Sequence, residues 1–455
     1  MTLAKPRNLQ PIADTTGARP AWASPPPRPD GPDDDPNRSA RSKGEHPATP
    51  DTPTGGSSAV SGAPQRLGVY IHFPWCRTKC PYCDFLSVPT DDVPSRDYAD
   101  AVICELERRA ALLGHSAVGS IFVGGGTPSL WEPQQLGRVL EAAARRLELL
   151  PDCEITMEAN PSSLDLAKAR AFRAAGVNRL SLGVQSLRDD ALRFLGRLHT
   201  GQQARRAVEA AIHSGIPRVS ADLIFGVPFE VSDEVVADAA TLVELGVEHL
   251  SVYSLTVEPG TVFGARARQG RLPLALDDDV AESFERIRGA LLGRGFDHYE
   301  ISNYARPGAR SRHNLGYWEG RPYLGLGCAA WGTLPSAGVT WRYRNTPSPA
   351  RYLAGASSWS RADLAVFGTN ELQAELERLT PETLLLERLM LGLRISDGLD
   401  IDEEARRLGV DAWNERRSRA YDRLLGRGVL ELDGKRTRIA PRHWLLTDTV
   451  LAELA

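Results

Sequence analysis

The chain has 455 residues, of which 42% are hydrophobic, enough for one large domain and a smaller appended unit. Its net charge of -4, with 25% charged residues, provides no overall attraction to nucleic acid or to an anionic membrane. No apolar run reaches the ~18 residues of a membrane span, and the N-terminus lacks a secretory pattern, so we expect a cytoplasmic protein.

The first 65 residues differ in composition from the rest of the chain. They contain thirteen of the 32 prolines, among Asp, Arg, Ser and Gly, and few residues that could be buried. This composition predicts a disordered N-terminal extension over residues 1–65. A docking tail is the functional alternative, and a solvated extension without a specific role is the simpler interpretation.

Short apolar strands alternate with amphipathic helices over residues 66–305. Such an alternation predicts a parallel sheet with right-handed crossovers. Six units favour an α/β fold of the partial TIM-barrel type, with an open doubly wound sheet as the alternative. The predicted strands are Leu67–Phe73, Ser120–Gly124, Glu154–Glu158, Arg179–Val184, Arg218–Phe225 and His249–Ser254.

Residues 381–455 have a different pattern, and residues 306–380 connect them to the barrel. The predicted helices are Pro381–Arg394, Asp402–Leu408 and Asp411–Gly426. A short hairpin around Asp433 and Gly434 follows them, and this order predicts a smaller α+β unit of the winged-helix type. Acids accompany its arginines, so we interpret the unit as structural or partner-facing and expect no nucleic-acid partner.

Three of the six cysteines, Cys76, Cys80 and Cys83, lie close together directly after the first predicted strand. Cubane iron–sulfur clusters are normally held by four thiolates, so a trio leaves one iron open to a small molecule. A structural zinc site would need a fourth ligand, and no second C-x2-C half or nearby histidine pair completes one. The C-x3-C-x2-C spacing is the radical S-adenosylmethionine (SAM) signature and predicts a [4Fe–4S] cluster.

Further polar segments follow later predicted strands, at the end of the barrel where active sites form. In residues 124–127, Gly-Gly-Gly-Thr, the glycines let the backbone approach a ligand, and their N–H groups can bind a carboxylate. The polar side chains of the other segments are Glu158, Gln185, Arg197 and Asp222. A buried acid on a strand needs a partner, such as a ribose or an ammonium group, although each side chain alone is more often structural.

In order and spacing, these segments resemble the coproporphyrinogen-oxidase-like branch of the radical SAM superfamily over about residues 67–331. The resemblance implies a partial (β/α)6 barrel that binds a [4Fe–4S] cluster, with SAM chelating its open iron. An electron donor for the cluster is a further implied partner. The implied SAM contacts are Tyr70, Gly125, Gly126, Thr127, Glu158, Gln185, Arg197 and Asp222.

Two features of this branch separate a haem chaperone from oxygen-independent coproporphyrinogen III oxidase. The oxidase has a cysteine two residues after the third cluster ligand, where this chain has Phe85. Residues 313–318, His-Asn-Leu-Gly-Tyr-Trp, match the HNxxYW motif of the HemW haem chaperone family. An imidazole is a suitable axial ligand for haem iron, so His313 is a candidate haem ligand. The alternative is that His313 holds its loop through hydrogen bonds.

The resemblance therefore implies a chaperone that carries haem as cargo and delivers it to acceptor haemoproteins, respiratory ones among the candidates. Coproporphyrinogen decarboxylation is the alternative activity, and peripheral membrane association and a homodimer stay open. Two positions depart from the family: Leu86 replaces a usual Asn, and Cys328 lies in a loop where a second histidine is expected. We interpret Cys104, Cys153 and Cys328 as packing residues.

Overall fold

A twelve-stranded mixed sheet lies at the centre of the residues that the computed structural model describes, which are 66–110, 113, 116–356 and 372–455. The predicted disordered extension over residues 1–65 lies outside the described residues. In chain order the strands of this sheet and of two small two-stranded sheets are β1 (Leu67–Phe73), β2 (Trp75–Cys76), β3 (Val88–Pro89), β4 (Ala117–Gly125), β5 (Glu148–Ala159), β6 (Arg179–Gln185), β7 (Arg218–Phe225), β8 (His249–Ser254), β9 (Asp297–Glu300), β10 (Asn303–Ala305), β11 (Tyr323–Leu326), β12 (Trp331–Ser336), β13 (Val339–Asn345), β14 (Gln373–Leu379), β15 (Leu430–Asp433) and β16 (Arg436–Ile439). The two small sheets, β2-β3 and β15-β16, lie outside the twelve-stranded sheet.

Helices connect the strands of the barrel, and further helices form the C-terminal unit. They are α1 (Ser95–Arg109), α2 (Pro133–Arg146), α3 (Leu166–Ala174), α4 (Asp189–Phe194), α5 (Gly201–His213), α6 (Ser232–Glu244), α7 (Val262–Arg268), α8 (Asp277–Leu292), α9 (Arg312–Trp318), α10 (Pro349–Gly355), α11 (Pro381–Gly392), α12 (Ile401–Leu408), α13 (Glu415–Gly426) and α14 (Thr447–Leu454). The helix α2 shows the principle: Leu136, Val139, Leu140 and Ala143 are buried at helical spacing, while its other face is polar.

Six parallel strands form the core of the sheet, in the order β1-β4-β5-β6-β7-β8. Each contains or coincides with one of the six predicted strands. The strand β11 joins β1 in parallel, and antiparallel strands extend both edges as far as β14 and β9. The described sheet therefore stays open, and the predicted partial (β/α)6 barrel is confirmed.

The alternation of side chains along β1 defines the inside of the barrel. Successive side chains of a strand point to opposite faces of the sheet. Val69, Ile71 and Phe73 belong to the main hydrophobic core, and the ring of Phe73 contacts Tyr98 of α1. Tyr70 and the residues that share its face consequently point into the barrel.

The C-terminal unit contains the predicted helices and hairpin, with β15 and β16 antiparallel. It packs near α9, where Arg388 Nη1 of α11 donates to the carbonyl oxygen of Glu319 at 3.1 Å. Arg310 and Asp397 form an ion pair at 3.0 Å between the same regions. Among the described helices, none has the length and apolar character that a membrane span requires. The exact domain boundaries stay predictions.

Candidate cluster and cofactor site

The three clustered cysteines lie in a loop at the carboxyl end of β1. Cys76 ends β2, which pairs in parallel with β3. The end of the loop therefore lies beside its beginning, with Pro89 opposite Cys76. Thr90 N donates to the carbonyl oxygen of Cys76 at 2.9 Å, and Cys83 N donates to that of Cys80 at 3.1 Å. This closed loop holds the three thiols at the end of the barrel where active sites form.

Burial controls the ionisation of two of these thiols, those of Cys76 and Cys83. It raises the pKa of Cys76 and raises that of Cys83 to about 12, so both are protonated at neutral pH. Binding of iron would displace these protons, because thiolates are the metal ligands. All three thiols are free, and within the described ranges no three metal-ligating side chains are already gathered. The donor set of three sulfurs on one short loop fits a cubane cluster with one open iron.

The glycine segment predicted to contact SAM lies directly beside Cys76. Gly126 N donates to the carbonyl oxygen of Phe73 at 2.6 Å, and Thr127 N donates to that of Trp75 at 2.7 Å. Thr127 Oγ1 also donates to Cys76 Sγ at 3.3 Å. A Cβ atom on Gly126 would lie 2.5 Å from the carbonyl oxygen of Trp75. Only glycine allows this close approach of the two loops.

Two half-buried carboxylates, Glu158 and Asp222, lie next to the glycine segment. Glu158 accepts the N–H of Gly125 at 3.1 Å, and Asp222 accepts from Ser181 Oγ at 3.1 Å. Burial, followed by the nearby Asp222 carboxylate, raises the pKa of Glu158 to about 7, and burial raises that of Asp222 to about 6. Neither acid pairs with a Lys, Arg or His of the described part of the chain. Such a pair favours a cationic ligand, such as the ammonium and sulfonium groups of SAM.

Gln185 and Arg197 complete the predicted set, with Gln185 at the end of β6 and Arg197 in the loop between α4 and α5. Arg197 Nη1 donates to Cys80 Sγ at 3.5 Å, and Nη2 donates to the carbonyl oxygen of Gly183 at 2.8 Å. Its buried Nε has no hydrogen-bond partner among the described residues and is available to a ligand. Gln185 ends β6 with a φ of 68°, a conformation that is rare outside glycine and concentrated at functional sites.

His72 is the residue of this site that the sequence reasoning left without a role. Its Nε2 bonds to the carbonyl oxygen of Leu86 and its Nδ1 to Tyr70 Oη, both at 3.0 Å. Burial lowers its pKa to about 4, so the ring is neutral. Because a carbonyl only accepts, the proton lies on Nε2, and Nδ1 accepts the Tyr70 hydroxyl. The Leu86 contact uses the backbone, so the departure from the family at this position does not affect it.

The ring of His72 also fills the space beside Gly125. A Cβ atom on Gly125 would lie 2.5 Å from the ring, and the φ of +112° there already favours glycine. His72 therefore positions the cysteine loop, Tyr70 and the glycine segment together. The sequence signal for this role is the two-residue spacing from Tyr70, which places both side chains on one face of β1.

His313 lies at the opposite end of the barrel, near the start of β4. Its Nδ1 bonds to Ser120 Oγ at 2.9 Å and its Nε2 to Tyr317 Oη at 3.0 Å. Burial lowers its pKa to about 3. Ser120 and Gly125 lie on the same strand, about 16 Å apart at the usual rise per residue. The structure thus places His313 apart from the cysteine loop, with a hydroxyl partner on each ring nitrogen.

Glu154 of β5 binds the N-terminus of α9, the helix that carries His313. Arg312 N and His313 N donate to Glu154 Oε1 of β5 at 3.0 and 3.2 Å. A carboxylate at a helix N-terminus stabilises the unpaired amides and the helix dipole. Glu154 is in turn 3.7 Å from the buried Arg179.

The remaining cysteines are integrated into the packing of the fold. Cys328 is buried and its thiol donates to the carbonyl oxygen of Thr346 at 3.2 Å. Cys104 of α1 donates to the carbonyl oxygen of Ala356 at 3.1 Å, and Cys153 is buried in β5. These contacts agree with the interpretation of all three as packing residues.

Comparison with protein families defines the class of this molecule. The model of the radical SAM superfamily matches residues 70–242, and that of the HemN C-terminal domain matches residues 379–446. Coproporphyrinogen III oxidase (HemN) from Escherichia coli, a radical SAM enzyme of known structure, superposes with a TM-score of 0.71 at 20% identity. The superposition covers 86% of this chain and 90% of that one. The fold and the cysteine loop are those of a radical SAM protein.

Comparison with individual relatives identifies the family within this superfamily. "Heme chaperone HemW" of Mycobacterium tuberculosis is 37% identical over 396 residues, which are 86% of this chain and 95% of the relative. HemW of Escherichia coli is 39% identical over 66% of this chain and 78% of its own length. The mitochondrial "Radical S-adenosyl methionine domain-containing protein 1" of mouse is 35% identical over 86% of this chain and 88% of the relative. This chain belongs to the HemW family.

Proposed function

We propose that this chain is a cytoplasmic haem chaperone that holds a [4Fe–4S] cluster on Cys76, Cys80 and Cys83, binds SAM beside it, and delivers haem to acceptor haemoproteins. The observation that carries the proposal is the 37% identity to a relative named as a heme chaperone, over 95% of that relative. Respiratory haemoproteins are candidate haem acceptors and an electron donor for the cluster is a further proposed partner, while peripheral membrane association and a homodimer stay open.

The proposed SAM site uses the chain's own groups for orientation. When bound, the cluster and SAM would supply one-electron chemistry at the sulfonium group. The residues proposed to contact SAM are Tyr70, Gly125, Gly126, Thr127, Glu158, Gln185, Arg197 and Asp222. The glycine segment leaves room for the methionine part of SAM, and the two acids beside it suit its ammonium group. The free Nε of Arg197 provides a further donor.

The proposed haem ligand is Nε2 of His313. In one tautomer, Nδ1–H donates to Ser120 Oγ, and Nε2 accepts from Tyr317 Oη. That tautomer presents the Nε2 lone pair that a haem iron needs. Ligation then requires that the Tyr317 hydroxyl leave Nε2, while the bond to Ser120 keeps the ring oriented.

The competing activity is coproporphyrinogen decarboxylation. Phe85 stands where the oxidase pattern has a cysteine, and its carbonyl oxygen accepts from Lys79 Nζ at 3.1 Å. A phenylalanine side chain offers no group for ligation or proton transfer. This substitution favours the chaperone over the enzyme.

One reconstitution experiment separates the two functions. The protein is loaded anaerobically with iron and sulfide and divided, with haem added to one sample and coproporphyrinogen, SAM and dithionite to the other. We expect stable haem binding that is lost in His313→Ala and kept in the exposed control His213→Ala, with no decarboxylated product. Decarboxylated product, or haem binding that is indifferent to His313, would contradict the proposal.

A further inference from the structure

A pocket of about 180 Å³ opens at the amino ends of β1 and β4, at the far end of the barrel from the cysteine loop. Gly68, Gly119 and the buried His313 contribute to its lining, together with Tyr317 and Tyr323. The two tyrosine rings contact each other edge to face at 4.7 Å. This pocket plays no part in the cluster and SAM site.

The lining of the pocket contains three arginines and no acidic residue. Arg312 forms an ion pair with Asp152 at 2.7 Å, and Arg321 pairs with Glu319, but both acids lie outside the lining. Arg66 forms no ion pair with an acid in the part of the chain that the structure describes. Because two of the three arginines are already paired with acids, Arg66 supplies the unpaired positive charge that suits the pocket to an anion.

Two glycines keep the pocket open. A Cβ atom on Gly68 would lie 3.3 Å from Cε1 of His313, and one on Gly119 would lie 3.3 Å from Cβ of Arg66. Side chains at these positions would fill the space between the arginines and the histidine ring. The absence of side chains at residues 68 and 119 thus keeps the pocket beside His313 open.

We infer that this pocket binds a propionate carboxylate of the haem cargo through Arg66 and Arg321, with Arg312 at its edge; the inference rests on the haem binding proposed above. Guanidinium groups bind carboxylates through paired, charge-assisted hydrogen bonds. The volume is below the roughly 300 Å³ of the smallest usual ligand pockets, so only one edge of a porphyrin enters it.

The same carboxylate would act on the hydrogen bond that holds His313. Tyr317 lines the pocket and its hydroxyl lies 3.0 Å from Nε2 of His313. A carboxylate is a stronger acceptor than a neutral imidazole, so it draws the Tyr317 O–H away from the ring. Nε2 of His313 then loses its hydrogen-bond donor and keeps a free lone pair. Recognition of the propionate would in this way release the ring nitrogen that is proposed as the haem ligand.

A titration with two forms of haem tests this inference. The full-length, cluster-reconstituted protein is titrated with haem and with haem dimethyl ester, whose carboxylates are neutral, and binding is followed by absorbance. We expect the ester to bind about tenfold more weakly than haem, the effect of losing one charge-assisted contact. Arg66→Ala/Arg321→Ala should bind both forms with the weak affinity of the ester. Arg170→Ala, an exposed arginine on α3, is the matched control and should behave as the wild type.

The outcomes distinguish this inference from the proposed function. Equal affinities for haem and ester in the wild type would overturn the role of the arginines while leaving haem binding intact. Failure of the wild type to bind haem would overturn both. If the double variant does not fold, as judged by its thermal unfolding, the comparison of haem and ester in the wild type still tests whether the pocket binds a propionate.

Discussion

The ring of Phe122 stacks on the ring of His313 inside the barrel, with centroids 5.1 Å apart and planes inclined by 23°. Phe122 also stacks with Tyr70 at 6.2 Å, and Tyr70 Oη bonds to His72 at 3.0 Å. A continuous line of rings therefore joins His72, which positions the cysteine loop, to His313, which is proposed to bind haem.

Burial of His313 makes the fold sensitive to acid. Its pKa is about 3 in the folded chain and ~6.5 in an unfolded one, so its contribution to stability is complete above pH 6.5 and is lost as the pH falls. Between about pH 4 and 6, one such histidine contributes a slope of about 1.4 kcal/mol per pH unit to the free energy of unfolding. Denaturant unfolding of His313→Gln should show a slope that is smaller by this amount.

The exposed His213 supplies the control for that measurement. His213→Gln should retain the pH dependence of the wild type, because the His213 side chain is exposed and its replacement removes no buried imidazole. An unchanged slope in His313→Gln would show that His313 is solvated and titrates normally in the folded protein.

SAM binding should strengthen as the pH rises. The pKa values of Glu158 and Asp222 are about 7 and about 6, so both acids become ionised, and attract a cation, between about pH 5.5 and 7.5. We expect the affinity for SAM, measured by equilibrium dialysis on the reconstituted protein, to increase about tenfold over this range. Glu158→Gln should bind SAM more weakly at pH 7.5 and show a flatter profile, whereas the exposed Glu209→Gln should not. A flat profile in the wild type would exclude these acids as the partners of the ammonium group.

The glycine segment should tolerate no side chain at residue 126. In Gly126→Ala the new methyl group would meet the carbonyl oxygen of Trp75 at 2.5 Å, so the backbone beside Cys76 has to shift. We expect at least tenfold weaker SAM binding and a lower iron content after reconstitution. Gly260→Ala is the control, since nothing lies within 4 Å of a Cβ atom there. Normal SAM binding in Gly126→Ala would show that this loop does not form the cofactor site.

The positions of the six parallel strands could be predicted because each is a short apolar run between turn residues. The prediction missed the first residues of β4 and β5, where Ala117 pairs with Glu148 and Val118 with Leu149. The prediction began β5 only at Glu154, after the polar residues that interrupt its apolar pattern. Pairing with a neighbouring strand, which a single sequence does not display, extends both strands.

The motifs of the site could also be predicted, because ligand spacing along one loop is a local property. Contacts across the barrel could not be predicted in this way. The proximity of Phe122 to Tyr70 depends on the register of β4 against β1, where the two residues are direct partners. The bond from Ser120 to His313 depends on where α9 docks, which is set by Glu154 and the C-terminal unit rather than by its own motif.

Dependence of haem delivery on the cysteine loop is measured most directly by comparing Cys76→Ser with Cys104→Ser. Both proteins are reconstituted anaerobically, analysed for iron and sulfide, loaded with haem and mixed with apomyoglobin as a probe acceptor. We predict that Cys76→Ser loses the cluster and transfers haem at least tenfold more slowly, while Cys104→Ser matches the wild type. Wild-type iron content and haem transfer in Cys76→Ser would contradict the proposed function.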